Sequence, residues 1–245
     1  MRNNIKFCTL FNIFILIIIG CSHSEIMYYS NPDILLVEES KDIHEIGDNK
    51  LSIVDGELII DAKNNVFEVT LPDNYSSIHS FHLSYDKRFL AYDVVMDDGI
   101  KIFAVNLETG EKVNLSEDIG YQYDYDGYQS PFGMAWAPNK NLIAFIGGYN
   151  DSARINLYHF ELDESKQAPG GSFIFKDVYG VKWDSTGESI YYLVDSLENE
   201  NMYKLYQTEI ESNSDLLGGT VNVIKEINEE FFENWLTKEE KETIS

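Results

Sequence analysis

At 245 residues, the chain is long enough for one large all-β domain or two small domains, and a hydrophobic content of 44% is sufficient for a sizeable core. Its 18 basic and 42 acidic residues give a formal net charge of −24, which argues against binding to nucleic acids or anionic membranes. Both cysteines, Cys8 and Cys21, lie near the amino terminus, so residues 22–245 contain no disulfide, thiol nucleophile or thiolate metal ligand.

The first 20 residues are typical of an export signal. Arg2 and Lys6 precede an apolar run over residues 7–19. This run is shorter than the roughly 20 residues needed to span a bilayer. The run ends in Ile18-Ile19-Gly20-Cys21-Ser22. This stretch resembles the lipobox of bacterial lipoproteins, in which an aliphatic residue and one or two small residues precede the cysteine, although Ile19 is bulkier than usual.

The lipobox resemblance implies that Cys21 is lipidated, that the chain is cleaved before it, and that the new amino terminus is acylated. Two or three acyl chains anchor a protein stably. A transmembrane anchor or a secretory signal cleaved elsewhere are the alternatives. Cleavage would leave 16 basic and 42 acidic residues, a net charge of −26. The predicted location is the bacterial cell envelope, and Ser22 suits the outer membrane of a Gram-negative cell.

Strand patterns begin after a polar segment, residues 21–32, that we interpret as a tether. Short apolar runs follow at 34–37, 51–54, 58–60 and 66–71. Asp55-Gly56 suits a tight hairpin turn, and Asn64-Asn65 is a second turn signal. This region therefore predicts an antiparallel meander.

One stretch then occurs three times, as Phe81–Tyr92, Met134–Phe145 and Val181–Tyr192. Each copy is a short apolar strand, a polar turn and a second strand that ends in an aromatic residue. A third strand and an outer strand follow each copy, and in the second copy a loop with Pro169-Gly170-Gly171 is predicted before the outer strand. The copies start 53 and 47 residues apart, and four strands per unit at this period are typical of propeller blades.

The turns of these copies resemble those of the TolB-like, PD-repeat β-propellers, whose blades carry a Trp-Ser-Pro-Asp-Gly-Lys-like turn between two strands. Trp136-Ala-Pro138-Asn139 and Trp183-Asp-Ser-Thr-Gly187 each keep part of this pattern, and Leu83-Ser-Tyr-Asp86-Lys87 keeps another part. The polar residues set a tight turn, and the aromatic residue before it is expected to pack between blades.

This resemblance covers residues 78–224, with residues 33–71 as a degenerate fourth unit. The family usually has six blades, so this shorter chain would close as a small ring, remain an open arc or be completed by a partner. The predicted fold is all-β: a β-propeller-like array of four-stranded antiparallel blades over residues 33–224, three clear and up to four or five in all. Residues 225–245 carry apolar side chains at helical spacing among many acids, which predicts a short amphipathic C-terminal helix docked on the sheet edge or on a neighbour.

Catalytic motifs are absent from the sequence: it contains no Gly-x-Ser-x-Gly elbow, His-Glu-x-x-His pair, Walker loop or dinucleotide fingerprint. Its five histidines are His23, His44, His79, His82 and His159. His79 and His82 are three residues apart on a predicted strand and should face opposite sides, which argues against a shared metal. The sequence predicts a protein that is not an enzyme and has no metal site.

The most suggestive polar stretch is Tyr121-Gln-Tyr-Asp-Tyr-Asp-Gly-Tyr-Gln129. Asp124 and Asp126 offer oxygen ligands at a spacing that calcium accepts, but the later glutamate of an EF-hand is missing and Asp-x-Asp-Gly is a frequent turn. Tyrosine supplies amphipathic contact area at low entropic cost. The candidate recognition residues are Tyr121, Tyr123, Asp124, Tyr125, Asp126 and Tyr128, and a plain solvated loop is the alternative.

Two acidic pairs stand beside turns, Asp97 with Asp98 and Asp163 with Glu164. A glycosidase needs two carboxylates that face one cleft. Adjacent positions in a turn do not establish such facing, and we interpret both pairs as solvated turns.

Three functional hypotheses follow. In the first, the protein is a non-enzymatic, lipid-anchored envelope protein that contacts the membrane through Cys21 and binds a protein or envelope component through its inter-blade loops. In the second, it is a propeller-type carbohydrate-active or carbohydrate-binding lipoprotein with Asp124 and Asp126 at the loop face. In the third, it is a fragment-like paralogue of a larger propeller with little activity of its own.

Overall fold

The computed structural model describes residues 25–38, 41–63, 65–97, 99–116, 133–149, 152–174, 178–196, 202–210, 220–237 and 242–243. Two short strands come first, β1 Glu25–Ile26 and β2 Ile34–Leu36. Four antiparallel sheets follow, each formed mainly by four successive strands. This arrangement confirms the predicted fold class.

The strands of the four sheets have these bounds. The first sheet contains β3 His44–Ile46, β4 Asn49–Val54, β5 Glu57–Ala62 and β6 Asn65–Thr70. The second contains β7 Tyr75–Leu83, β8 Phe89–Met96, β9 Gly99–Asn106 and β10 Lys112–Asn114. The third contains β11 Met134–Trp136, β12 Leu142–Tyr149, β13 Ser152–His159 and β14 Glu164–Ile174. The fourth contains β15 Val178–Trp183, β16 Ser189–Asp195, β17 Met202–Glu209 and β18 Val221–Asn228.

The chain ends with helix α1, Glu229–Thr237, and strand β19, Glu242–Thr243, which pairs with β1. Asn228 caps the helix, because its Oδ1 accepts a hydrogen bond from the Phe231 backbone N–H at 3.0 Å. The predicted C-terminal helix is therefore present, but it begins at residue 229 because β18 continues to Asn228. Among the described residues, no helix is long and apolar enough to span a bilayer.

The turns form where the sequence predicts them, for local reasons. Asp55 and Gly56 both have positive φ, 51° and 83°, as the two central residues of a type I′ hairpin turn require. Gly187 has a φ of 74°, and a Cβ added there would lie 2.5 Å from Asn139 Oδ1. It would displace an amide that donates to the carbonyl of Thr186 at 2.7 Å, so glycine at 187 permits the contact between two neighbouring turns.

The first apolar run of the predicted meander belongs to a different sheet. Ile34 pairs with His82 and Leu36 with Ser80, so β2 is a fifth strand on the inner edge of the second sheet. The degenerate fourth unit therefore starts at His44. Strand propensity located β2, but nothing local to the run specifies a partner more than 40 residues away.

Strand β14 also differs from the prediction. Pro169, Gly170 and Gly171 predict a loop, yet β14 continues through them from Glu164 to Ile174. Its pairing with β13 shifts register between Arg154 and Asn156, which gives the extra residues room as a bulge.

The segment predicted to be a tether is held against the array over its described part. Tyr28 forms an isolated β-bridge with Asp184, and the Tyr29 N–H donates to the Trp183 carbonyl at 2.8 Å. The chain thus pairs first with the fourth sheet and then, as β2, with the second. Pairing within the described part of this segment is confined to the two-residue strand β1 and one isolated bridge, which are too short to give a strand periodicity in the sequence.

Tryptophans join the inner strands of adjacent sheets. Trp136 Nε1 donates to the His82 carbonyl at 3.0 Å, and Trp183 Nε1 donates to the Ala135 carbonyl at 2.9 Å. The two acceptors are equivalent, one residue before Leu83 and one before Trp136. Both indoles are fully buried. This confirms the expectation that the aromatic residue before the turn packs between blades.

Alternation along the strands divides the apolar side chains between neighbouring sheets. On β16, Ile190, Tyr192 and Val194 pack towards the third sheet, whereas Tyr191 and Leu193 pack towards α1. Similar clusters lie between the first and second sheets and between the second and third. Each fully buried aliphatic or aromatic side chain contributes about 1.5–3 kcal/mol through its removal from water.

The outer faces of the first and fourth sheets, at the two ends of the array, differ. On the outer side of the fourth sheet, Phe232 and Trp235 pack with Tyr28 over β16 and β17. On the outer side of the first sheet, the exposed positions include charged side chains: Glu45, Lys50, Asp61 and Glu68. Among the described residues, one outer face is covered by a helix and the other is exposed, so the first and fourth sheets do not close a ring on each other.

The strands give the array two distinct edges, which we call the turn end and the loop end. The turn end carries the turns between the first and second strands of each sheet: residues 47–48, 84–88, 137–141 and 184–188. Contacts between neighbouring turns show that they share one edge, including the hydrogen bond from Asn141 Nδ2 to Asp86 Oδ2 at 2.8 Å. The second strands finish at the opposite edge, the loop end, at Val54, Met96, Tyr149 and Asp195.

Candidate functional site

The predicted lipidation residue Cys21 and the candidate recognition residues Tyr121, Tyr123, Asp124, Tyr125, Asp126 and Tyr128 lie outside the described residues. The residues that flank the recognition loop are described. Ser116 Oγ accepts from the Ile102 N–H at 2.9 Å, and the Gly133 carbonyl accepts from the Ile146 N–H at 2.8 Å. Both contacts lie towards the loop end of their sheets, so the chain leaves the second sheet and enters the third on that side.

The two neighbouring histidines separate as predicted. His79 is exposed, whereas His82 is fully buried. The described residues contain no group of three or more histidine, cysteine, aspartate or glutamate side chains that could hold a metal ion.

A buried polar chain lies on the side of the second sheet that faces the third. Ser80, His82 and Asp93 are all fully buried. Asp93 Oδ1 accepts from the Ser80 N–H at 2.6 Å and from Ser80 Oγ at 2.9 Å, and His82 Nε2 lies 3.2 Å from Ser80 Oγ. The residue types are those of a hydrolase triad, so the order of their hydrogen bonds decides what they can do.

That order is the reverse of the catalytic one. In a hydrolase, the histidine accepts the serine proton and the aspartate orients the histidine. Here Ser80 Oγ donates to Asp93 Oδ1, so the tautomer in which His82 Nε2 donates to Ser80 Oγ fits this contact, and in that tautomer Nε2 is not a base for the serine. Burial lowers the pKa of His82 to about 3, which keeps the imidazole neutral near physiological pH. In this arrangement the serine proton is directed to Asp93, and the group links β7 to β8 inside the protein.

The third sheet presents polar atoms to the same interface. Arg154 and Asn156 lie on one face of β13, opposite the face on which Ile155 packs towards the fourth sheet. Arg154 Nε and Asn156 Nδ2 are buried without a hydrogen-bond partner, as is His82 Nδ1. Buried polar atoms of this kind are ordinarily satisfied by ordered water. We interpret this layer as an internal polar seam between the two sheets.

A second polar cluster joins the same two sheets at the turn end. Asp86 Oδ2 accepts from Arg88 Nε at 2.5 Å and from Asn141 Nδ2 at 2.8 Å, and Glu161 Oε1 accepts from Arg88 Nη2 at 3.2 Å and from Asn141 Nδ2 at 2.6 Å. Burial acts to raise the pKa of Asp86, but the hydrogen bonds from Asn141 and Arg88 outweigh it and hold that pKa below its usual value. This cluster fixes neighbouring turns together.

The described members of the acidic pairs do not converge on a cleft. Asp97 is exposed at the loop end. Asp163 has a φ of 52° in the turn after β13 and accepts a hydrogen bond from the Tyr158 hydroxyl, which assigns it to turn geometry. Asp98 lies outside the described residues.

Sequence reasoning missed the buried seam of Ser80, His82 and Asp93. These residues lie on different strands, and their convergence depends on a bulge in the pairing of β7 with β8 between Ile78 and Phe81. The one available signal was Asp93, a charged residue inside an otherwise apolar strand. Such a residue predicts a buried partner but does not identify it.

The chain matches no family model and no curated protein. Solved structures with similar folds include TolB from Acinetobacter baumannii, at 13% identity and a TM-score of 0.43, with 78% of this chain and 40% of that chain covered. They also include a putative TolB from Agrobacterium tumefaciens, at 10% identity and a TM-score of 0.44, with 81% and 66% covered. A chain of a nidogen/laminin complex matches at 13% identity and a TM-score of 0.39, with 70% and 59% covered.

TolB structures are thus among those to which this chain is similar, as the repeated turn motif predicts. The chain spans 40% of the first TolB and 66% of the second. The TM-scores are below 0.5, so the assignment of the fold rests on the strand order itself. Four consecutive antiparallel sheets, each built on four successive strands and joined face to face along their inner strands, make the chain a propeller-type array.

Proposed function

We propose that this chain is a lipid-anchored protein of the bacterial cell envelope that binds a protein partner or another envelope component through its loop end, without catalysing a reaction. The observation that carries the proposal is the lipobox-like stretch Ile18–Ser22, placed directly before a propeller-type array. A lipid anchor keeps such a scaffold at a membrane surface, where its loops meet partners.

The connection between the second and third sheets supports the choice of the loop end. It carries four of the chain's 16 tyrosines within residues 121–128, and its flanking residues Ser116 and Gly133 lie on that side of the array. Tyrosine-rich loops held by a rigid scaffold are a common form of recognition surface. The reversed hydrogen bonding of the buried serine favours a binding role over hydrolysis.

The anchor is tested by Cys21→Ala. We expect the wild-type protein to carry acyl chains on residue 21, by mass spectrometry of the mature amino terminus, and to fractionate with membranes. The variant should remain unprocessed or become soluble. Continued acylation of Cys21→Ala, or a wild-type amino terminus elsewhere, would overturn the lipid anchor.

The recognition loop is tested by in-cell crosslinking of the wild-type protein and of a Tyr123→Ala, Tyr125→Ala double variant. We expect the double variant to lose a specific crosslinked partner while its thermal unfolding is unchanged. Tyr85→Ala is a matched control, because Tyr85 is an exposed tyrosine, 43% accessible, at the turn end. Equal capture by the double variant would remove the loop assignment, and capture of a glycan would favour the carbohydrate-binding alternative.

The proposed function requires no cofactor. A ligand that binds only the native state raises the melting temperature by mass action. We therefore expect added calcium to leave the melting temperature unchanged. A calcium-dependent rise that is lost in Asp124→Asn would instead assign this loop as a calcium site.

A further inference from the structure

The amino-terminal segment leaves the array at the turn end. The Tyr29 N–H donates to the Trp183 carbonyl, and the Ser185 N–H donates to the Met27 carbonyl, each at 2.8 Å. As the residue number falls from 29 to 27, the partner therefore advances from the last residue of β15 into the turn 184–188. Residues 27–29 thus run antiparallel to residues 183–185, with Met27 at the turn end of the fourth sheet.

The same segment is fixed at its start. Glu25 pairs with Thr243 and Ile26 with Glu242. Tyr28 packs edge-on against Trp235 with ring centroids 5.9 Å apart, and Trp235 Nε1 donates to the Tyr28 hydroxyl at 3.0 Å. The exit direction is consequently set by contacts with the fourth sheet, the helix and the C-terminal strand.

The segment between Cys21, the candidate lipid attachment site, and β1 is short, and we call it the leash. Only residues 22–24 separate Cys21 from β1. Four Cα–Cα steps reach at most about 14 Å when fully extended. A strand of eight residues, such as β8, spans about 27 Å from the turn end to the loop end. The leash is therefore too short for the array to turn over at the anchor.

The inner turns at this end also repel an anionic surface less than the rest of the chain does. The inner turns of the second, third and fourth sheets, residues 84–88, 137–141 and 184–188, carry three basic and three acidic side chains, and the first sheet's inner turn adds only Asp48, in a chain whose net charge is −24. The basic ones are Lys87, Arg88 and Lys140, and the acidic ones are Asp86, Asp184 and Glu188. The outer turns of the same end carry acids such as Glu108 and Glu111, so the neutral zone lies on the side where the amino-terminal segment emerges.

From this exit point, leash length and charge balance, we infer that the turn end is the membrane-facing surface of the protein and that the loop end points away from the lipid headgroups. The inference rests on the proposed lipidation of Cys21. The loop end stands about one strand length above the membrane side, several Debye lengths at physiological salt. Its acids are then screened from the bilayer, and its loops are open to a partner in the aqueous phase.

The test uses the lipidated protein in vesicles that contain lipids with a nitroxide on the headgroup. Two variants place one thiol at opposite ends of the second sheet, Tyr85→Cys at the turn end and Asp97→Cys at the loop end. Residues 22–245 contain no cysteine and a lipidated Cys21 is a thioether, so only the introduced thiol takes a fluorophore. We expect nitroxide quenching about threefold or more stronger at residue 85, because the two positions differ by about a strand length from the bilayer.

A linker control separates orientation from simple attachment. About 20 Gly/Ser residues inserted between Ser22 and Glu25 give a leash with a root-mean-square span of about 25 Å. This insertion should reduce the difference between the two probes while the protein stays bound to vesicles. Equal or reversed quenching in the acylated protein without the linker would overturn the inference and leave the proposed function standing. An unacylated residue 21, with no vesicle binding, would overturn the proposed function and the membrane orientation with it.

Discussion

The outer faces of the first and fourth sheets occupy equivalent positions at opposite ends of the array, yet they are built in opposite ways. The fourth sheet is covered by helix α1 and by Tyr28, and Trp235 at the centre of this cover is only 3% exposed. The first sheet has no cover among the described residues, and its outer face mixes charged side chains with the exposed aliphatic residues Val54 and Val66.

The difference shows how a propeller-type array can end without closing. Side chains alternate along β4 and β5, so the first sheet buries one face on the second sheet and leaves the other polar. The fourth sheet is apolar on both faces and needs a cover. That cover comes from both ends of the described chain, through Tyr28 and Trp235, so the fourth-sheet end depends on contacts between residues more than 200 positions apart.

The largest expected effect comes from removing the cover. We expect Trp235→Ala to lower the free energy of unfolding by about 3–5 kcal/mol, because it removes a large buried side chain and leaves a cavity over Tyr28 and β16. Urea denaturation measures the change. Exposure of the fourth sheet should also increase binding of a dye specific for apolar surface. A loss below about 1 kcal/mol would mean that α1 does not cover this face.

The first sheet offers a comparison between two adjacent residues on one strand. Leu58 is fully buried against the second sheet, whereas Ile59 is half-buried on the outer face. We expect Leu58→Ala to cost about 2–5 kcal/mol and Ile59→Ala about 1 kcal/mol or less in urea denaturation. Similar costs at the two positions would show that the outer face of this sheet is also buried in solution.

The contrast between the two ends of the array also shows which features can be predicted from the sequence. The repeats, the Asp55-Gly56 turn and the inter-blade role of Trp136 were predicted because they depend on residues close together in the chain. The polar outer face of the first sheet follows from the same local alternation. The fourth-sheet cover was predicted only as a helix docked on the sheet edge or on a neighbour, since no pattern in residues 229–237 specifies Tyr28 as their partner.

Two further features of the fold were not predicted, because they too depend on contacts between residues far apart in the chain. Strand β2 carries a clear strand signal, but its pairing with β7 is a property of the folded chain. The hydrogen bonds of Ser80 with Asp93 likewise require two strands and a bulge to bring the groups together. The loop predicted at Pro169 was wrong for a different reason. Proline usually interrupts a strand, but here it lies at a bulge, where its missing N–H breaks no ladder hydrogen bond.

The interior between the two ends should respond to pH in a way that neither outer face does. Burial lowers the pKa of His82 to about 3 in the folded protein, against about 6.5 in the unfolded chain. The unfolded state therefore binds more protons below pH 6.5, and stability should fall as the pH drops from 6.5 towards 3. From pH 7 to pH 5 the expected loss is about 2 kcal/mol.

Because 42 acidic residues also titrate at low pH, the histidine contribution is isolated by comparison with His82→Leu. That variant lacks the hydrogen bond to Ser80 and should be less stable at pH 7. Its stability should nevertheless decline less between pH 7 and pH 5 than that of the wild type. Parallel declines in urea denaturation would show that His82 is protonated in the folded protein or is accessible to water.

The smallest expected effect tests the open end directly. Val66 is 64% exposed on the outer face of the first sheet and lies opposite Asp61 in the pairing of β5 with β6. In Val66→Lys, the new ammonium group would stand in water beside a carboxylate, so we expect the free energy of unfolding to change by about 0.5 kcal/mol or less. If a second copy of the chain or another blade covers this face, the buried charge should instead lower stability or disrupt the assembly. Urea denaturation and sedimentation at matched protein concentrations separate these outcomes, and an unchanged sedimentation coefficient with unchanged stability would identify the first sheet as a free end of the arc.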